Sequence, residues 1–362
     1  HYPSQKITLH ISIDASENID VEEVARAFEW KHGDKVVDVK SENLGLLKHV
    51  FECGQLTEKY GAIVVLEDDL IVAPGYYLYA QKANGFYSED EKVAGVSLYT
   101  YACEENNFYP FHPINDGSDV HFIQVASSWG QAWNTSQWKS FKEWVTKNPD
   151  GNTELLPAYV KQWGKNSWKR LFIGYLIDTS RYFVFPATSY SSNFEEEGTH
   201  AVDTGLFQVP LNLGASEPRF RLWKESLAVY DAYFELEARC LKQLNPNLNE
   251  FDFEVDIYGE KPIDAIHTEY VLTSRRGAEP VRSFGARMKP LIQNVIFNGA
   301  GAAFGLYKRE NLQLTESKRF LTLEAASIRQ DQLSEIRTQT REQVTVIMPV
   351  LDDQMDKLKE TV

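Results

Sequence analysis

Glu67-Asp68-Asp69 places three carboxylates in succession directly after the apolar run Ala62-Ile63-Val64-Val65-Leu66. Adjacent carboxylates repel one another, and a divalent cation is the simplest partner that keeps them ionised together. Oxygen-only ligands suit Mg2+ or Mn2+, and such a cation bridges naturally to a diphosphate. If strand alternation continues through the triplet, Glu67 and Asp69 share one face and Asp68 takes the other, so one cation cannot hold all three.

The flanking sequence says what must position these groups. Residues 7–13 are rich in β-branched side chains and stop at Asp14; Val21–Trp30 predicts a helix, Val36–Val39 a strand and Asn43–Tyr60 a helix with an apolar stripe. Ala62–Leu66 predicts a strand buried on both faces. Pro74 begins a helix and Val93–Leu98 a further strand. The expected fold class is therefore α/β, with a nucleotide-binding type of sheet flanked by helices, and the triplet lies at a strand's carboxyl end, where such sheets bind ligands. Residues 99–119 read as a long surface excursion, a common place for function. His121–Ala126 and Tyr182–Phe185 read as strands, and Trp138–Val145 and Trp168–Ile177 as helices.

We take 1–215 as one domain and 216–310 as an accessory α+β region. The latter is expected to hold a long helix over Leu222–Leu241, a strand over Phe251–Ile257 and a hairpin of Glu269–Thr273 with Val281–Phe284. Residues 311–362 show helical periodicity and then a strand-like stretch, without an assignable fold.

The 362 residues carry 37 basic and 52 acidic side chains, a net charge of −15, which argues against nucleic acid as a partner. No apolar run approaches the roughly 18 residues that suggest a membrane span. Cys53, Cys103 and Cys240 have no metal or disulfide spacing, so a reducing, cytoplasmic setting is expected. The triplet Asn134-Thr135-Ser136 sits where a helix cap belongs, and we read it as that cap rather than a glycosylation site.

The run from Val64 through Glu67-Asp68-Asp69 to Pro74-Gly75-Tyr76-Tyr77 resembles the metal-site region of GT-A glycosyltransferases of the N-acetylglucosaminyltransferase I kind. The likeness extends back to Ile11-Ser12-Ile13-Asp14 and to Asn43 through His49. It extends forward to Ser127–Trp133, Asn166-Ser167-Trp168 and Ser192–His200, and more weakly to Asp256–Gly259 and 284–307. It implies a GT-A mixed sheet and transfer of a sugar from a nucleoside diphosphate donor, in the first place a UDP-sugar, to a glycan or other hydroxyl acceptor, in glycan or polysaccharide synthesis. On the same grounds Asp69 and His200 would hold Mn2+ or Mg2+. Asp14, Asn43, Glu67 and Asp68 would contact the nucleotide-sugar, and Trp129 and Trp168 the acceptor. It also implies a further strand, bearing an Asn-Arg pair, ahead of residue 1.

One departure is chemical. Where the family carries Asp-Asp-Trp, with the catalytic base, this chain has Asn166-Ser167-Trp168, and neither Asn nor Ser is a competent base at neutral pH. Asp178 and the run Glu195-Glu196-Glu197, centred on Glu196, are the candidates nearby in sequence. A nucleotidyltransferase and a non-catalytic scaffold on the same fold are the alternatives.

Overall fold

The computed structural model describes residues 6–15, 20–152, 154, 156–193, 207–214, 217–275 and 277–312. The chain runs β1 (Leu9–Ile13), α1 (Asp20–Ala27), β2 (Lys35–Val39), α2 (Gly45–Gln55), α3 (Thr57–Tyr60), β3 (Ala62–Val65), β4 (Leu70–Val72), α4 (Tyr76–Phe86), β5 (Val93–Ser97) and β6 (Val120–Ile123). It continues β7 (Gln131–Asn134), α5 (Thr135–Lys147), α6 (Ala158–Lys161), α7 (Trp168–Asp178), β8 (Tyr182–Pro186), β9 (Ser191–Asn193) and β10 (Val229–Tyr230). The last elements are α8 (Ala238–Leu244), β11 (Phe253–Asp256), β12 (Tyr270–Thr273), β13 (Arg282–Phe284), α9 (Gln293–Ile296) and β14 (Phe304–Lys308).

The central sheet has the order β10-β6-β8-β5-β7-β3 and is mixed, an arrangement compatible with an α/β fold. β3, β5 and β8 run one way, and β6 and β7 are antiparallel to them. β1 and β2 form a separate parallel pair, β4 and β9 an antiparallel pair, and β11-β12-β14-β13 a second sheet. No helix among the described residues is long and apolar enough to cross a membrane.

Aromatic rings fasten α5 and α7 to each other and to the central sheet. Phe141 and Phe172 stack with centroids 4.1 Å apart, and Trp133 of β7 lies 5.0 Å from Trp138 and 5.9 Å from Trp168. Gly95 of β5 admits Phe183 and Trp133 to within 2.8 Å of where a Cβ would stand. Asn134 starts α5 through a capping box: its side chain accepts from Gln137 N–H, and the Gln137 side chain accepts from Asn134 N–H.

Three expectations need correction. β3 is an edge strand of its sheet, half buried with Leu66 39% exposed, because among the described residues it pairs only with β7. The helix expected over Leu222–Leu241 is broken into a 3-10 turn, β10 and the short α8. Asp231 accepts the N–H groups of Tyr233 and Glu235 and turns the chain there, while Val229 and Tyr230 pair with β6. β10 thus belongs to the central sheet although it follows residue 215. The expected hairpin is not one either: β14 lies between β12 and β13 and pairs with both.

The contact between α2 and α5 yields a stability test. A Cβ on Gly54 would lie 2.0 Å from the buried Trp138 ring, whereas one on Gly85 meets nothing within 4 Å. Gly54→Ala is expected to destabilise by about 1–3 kcal/mol or more through overpacking, and Gly85→Ala to stabilise by roughly 0.5–1 kcal/mol through backbone entropy. Urea melts of the two variants beside the wild type check both signs.

Candidate active site at the carboxyl ends of the strands

The acidic triplet sits where β3 has already ended. β3 stops at Val65, and Asp68-Asp69 form a turn into β4, so strand alternation does not sort the three side chains as expected. Glu67 is half buried, and Asp68 and Asp69 are exposed. Burial, followed by the charges of Asp69 and Asp68, pushes the Glu67 carboxyl up to about 7 against the opposing pull of Lys169. Burial and Asp68 also raise Asp69. The mutual repulsion expected of consecutive carboxylates is therefore present.

β9 brings a second segment to this turn. Asn193 pairs with Leu70, the residue after Asp69, and the Asn193 Oδ1 is buried without a hydrogen-bond partner. Glu196 and His200 lie outside the described residues.

A second cluster at this end of the sheet is built on the first turn of α7. Ser167 caps this helix by accepting from Arg170 N–H at 3.2 Å. α7 returns to the amino end of β8, so its own start lies at the carboxyl ends of β3, β5 and β8. Lys169 in that turn ion-pairs with Glu105, from the 99–119 excursion, and lies 3.3 Å from the Tyr101 hydroxyl. Its ammonium stands 5.0 Å from the Trp163 ring centre, 5.6 Å from Trp129 and 5.8 Å from Tyr101, an arrangement that favours a cation. The side chains of Lys169 and Glu105 are 11% and 8% exposed. Tyr101 also donates to Glu105 Oε1 at 3.1 Å, while Oε2 of the same carboxylate is buried with no hydrogen-bond partner.

The excursion is ordered by its own carboxylates and by the second sheet. Glu104 accepts from the N–H groups of Asn106, Asn107 and Tyr109 at 2.5, 2.6 and 3.1 Å. The side-chain amides of Asn106 and Asn107 donate to Glu260, and Tyr109 stacks on Tyr258 at 5.6 Å. Glu105, Lys169 and Trp163 escape sequence reasoning. The signals were a Glu-Glu-Asn-Asn run inside an aromatic loop and a lysine immediately after Trp168.

The remaining sequence candidates divide. Asp14 and Asn43 do meet: Asn43 donates to Ala15 O at 3.0 Å, and Asp14 accepts from Leu44 and Gly45 N–H at 2.8 and 2.9 Å at the start of α2. Trp129 is half buried beside Tyr99, Tyr101 and Phe207, with the Lys169 ammonium 5.6 Å from its ring. Trp168, at 2% exposure, packs on Trp133 and Phe172 in the core, and offers no face to an acceptor. Asp178 ends α7, nine residues and roughly 13 Å of helix from Lys169. There it accepts from Trp144 Nε1 at 2.6 Å and Asn152 Nδ2 at 3.2 Å, which makes it structural and removes it as a base. No protein-family model matches the chain, and no curated protein matches it in sequence.

Asp14 carries a pH-dependent stability test. Burial raises its carboxyl, but the N–H groups of Leu44, Gly45 and Ala15, with His49 nearby, outweigh burial and hold it below the usual range. A depressed folded-state pKa stabilises the protein above the unfolded value of about 3.9, and that stabilisation is lost as pH falls through the folded value. Asp14→Ala is expected to cost about 1 kcal/mol at pH 7, as loss of a cap does, and less at pH 3. Paired urea melts at the two pH values measure the difference.

Proposed function

We propose that this chain is a metal-dependent glycosyltransferase of the GT-A type. It would transfer a sugar from a nucleoside diphosphate donor, in the first place a UDP-sugar, to a hydroxyl acceptor. The observation that carries the reading is the placement of Asp68 and Asp69 in a turn beyond the carboxyl end of β3, with Asn193 beside them and the Lys169–Trp129–Trp163 wall at the same end of the sheet. Open α/β sheets bind ligands at that end.

The donor set fits Mn2+ or Mg2+ in its chemistry. Asp68 and Asp69 are exposed carboxylates side by side in the turn, and hard oxygen ligands of this kind suit either ion. One or two protein carboxylates, Asp69 first, would hold the cation, leaving room for diphosphate oxygens. When bound, the cation would supply neutralisation of the charge that develops on the departing diphosphate. The protein's own groups orient the reactants. Asp14 and Asn43 order the start of α2, Glu67 stands half buried before the turn, and the half-buried Trp129 and Trp163 give aromatic surface of the sort on which sugars pack.

Asp69→Asn keeps the side chain's shape and removes one charge. Calorimetric titration of UDP in the presence and absence of Mn2+ is expected to show the metal-dependent part of the affinity falling about 100-fold or more, since even outer partners of a metal site cost 10–100-fold. Asp68→Asn should lose less, and both variants should melt within about 0.5 kcal/mol of the wild type, as surface substitutions do. Unchanged metal-dependent binding in Asp69→Asn would refute the assignment.

A further inference from the structure

Between Glu154 and Asp178 the chain carries four cationic side chains, Lys161, Lys165, Lys169 and Arg170, and no acidic one, within a protein of net charge −15. Lys169 has its counter-charge in Glu105. Arg170 has none. The residue is 7% exposed, its Nε is buried without a hydrogen-bond partner, and among the described residues no carboxylate stands within ion-pair distance of its guanidinium. A buried arginine without an anion is strongly unfavourable, so this position calls for a negatively charged partner.

The surroundings of Arg170 call for the same partner. α7 is 11 residues long, and its amino end concentrates partial positive charge that no acidic side chain of the first turn answers. The N–H groups of Trp168 and Lys169 stand among the first donors of the helix, which have no intrahelical acceptor, and they meet no other acceptor among the described residues. Ser167 accepts from the Arg170 N–H at 3.2 Å and keeps its own O–H to donate. Side chains on a helix lean toward its amino end, which carries the Arg170 guanidinium toward these donors. The approach from water is open: Lys165 and Asn166 are exposed, and a Cβ on Gly164 would meet nothing within 4 Å.

We infer that the first turn of α7 binds an oxyanion, a phosphate or carboxylate group borne by a ligand of this protein. The guanidinium fork of Arg170 supplies charge-assisted hydrogen bonds, and the free N–H groups and the Ser167 hydroxyl supply the remaining donors. Lys165 adds attraction from the rim. The site needs neither the sugar donor nor the cation of the reading above.

Calorimetric titration of the full chain with inorganic phosphate and, separately, with acetate, each against sodium chloride at equal ionic strength, tests the site. Saturable binding is expected for at least one of the two, and the tighter of them names the group. Arg170→Met is expected to weaken that binding at least about tenfold, as loss of a charge-assisted fork does. Because it also removes a buried side chain, circular dichroism reports its folding. Asn166→Asp keeps Arg170 and sets a carboxylate beside the positive end of the helix. It should weaken the added anion at least about tenfold while the variant melts at or above the wild-type Tm, a pairing that a purely structural Arg170 would not produce. No saturable binding of either anion overturns the site, as does binding that folded Arg170→Met leaves unchanged. Should Arg170→Met fail to fold, unchanged binding in Asn166→Asp overturns it alone.

Discussion

Burial of the Lys169 ammonium constrains everything around it. Taking a lysine charge out of water costs several kcal/mol unless it is paired, and its place in the first turn of α7 adds the unfavourable positive end of the helix dipole. Glu105 supplies the pairing charge, and the rings of Trp163, Trp129 and Tyr101 supply their negative faces. The 99–119 excursion must therefore close back onto α7. α7 has no freedom to move away, because Trp168 and Phe172 are locked among Trp133, Phe141 and Phe183. One ion pair thus joins the aromatic core to the irregular 99–119 excursion.

The second sheet acquires a role from the same constraint. Lys261, 7% exposed, pairs with Asp231 at 2.5 Å and Glu254 at 3.7 Å, and Arg275 holds Asp256 at 2.9 Å. Arg275 also donates to the carbonyls of Gly259 and Lys261, clamping the turn after β11. That turn presents Tyr258 and Glu260 to the excursion, stacking Tyr109 and receiving the amides of Asn106 and Asn107. Buried charges in this number are poor sources of net stability, since each must first be desolvated. Their effect is to fix register between two sheets, and so to fix the loop on which Glu105 rides.

What was legible in the sequence was local. The Asn134 cap needs only Gln137 three residues on, the helix at Trp168 shows its own apolar periodicity, and the carboxylates of 67–69 adjoin along the chain. What was not legible depends on partners far away. β14 enters between β12 and β13 by pairing that no turn signal announces, and Val229–Tyr230 is a strand because β6 offers it an edge. The site divides along the same line. Trp168 and Lys169 are neighbours on a helix and hence about 100° apart around its axis, so they meet different partners, and only the packed fold says which. Tryptophan drew attention as a sugar platform, and its plain neighbour holds the buried ion pair.

The charge of the cleft bears on how it would treat an anion. Lys169 acts on two carboxylates, Glu67 and Glu105, and Glu67 also feels the charges of Asp69 and Asp68 in the acidic turn, within a protein whose overall charge is −15. At an effective dielectric constant of 20, two like charges about 6 Å apart repel by roughly 2.8 kcal/mol, so a diphosphate approaching this turn unaccompanied would be turned away. On the proposed reading a divalent cation held by Asp69 would reverse the sign of that encounter, and the raised proton affinity of Glu67 would lower the opposing charge further. Nucleotide affinity would then be conditional on the cation, whereas a neutral hydroxyl acceptor would meet no such barrier at the aromatic wall. On the transferase reading proposed above, the separation of an acidic turn from an aromatic, lysine-bearing surface would make donor binding and acceptor binding respond to different physical forces, with Lys169 beside the rings and acting at a distance on Glu67.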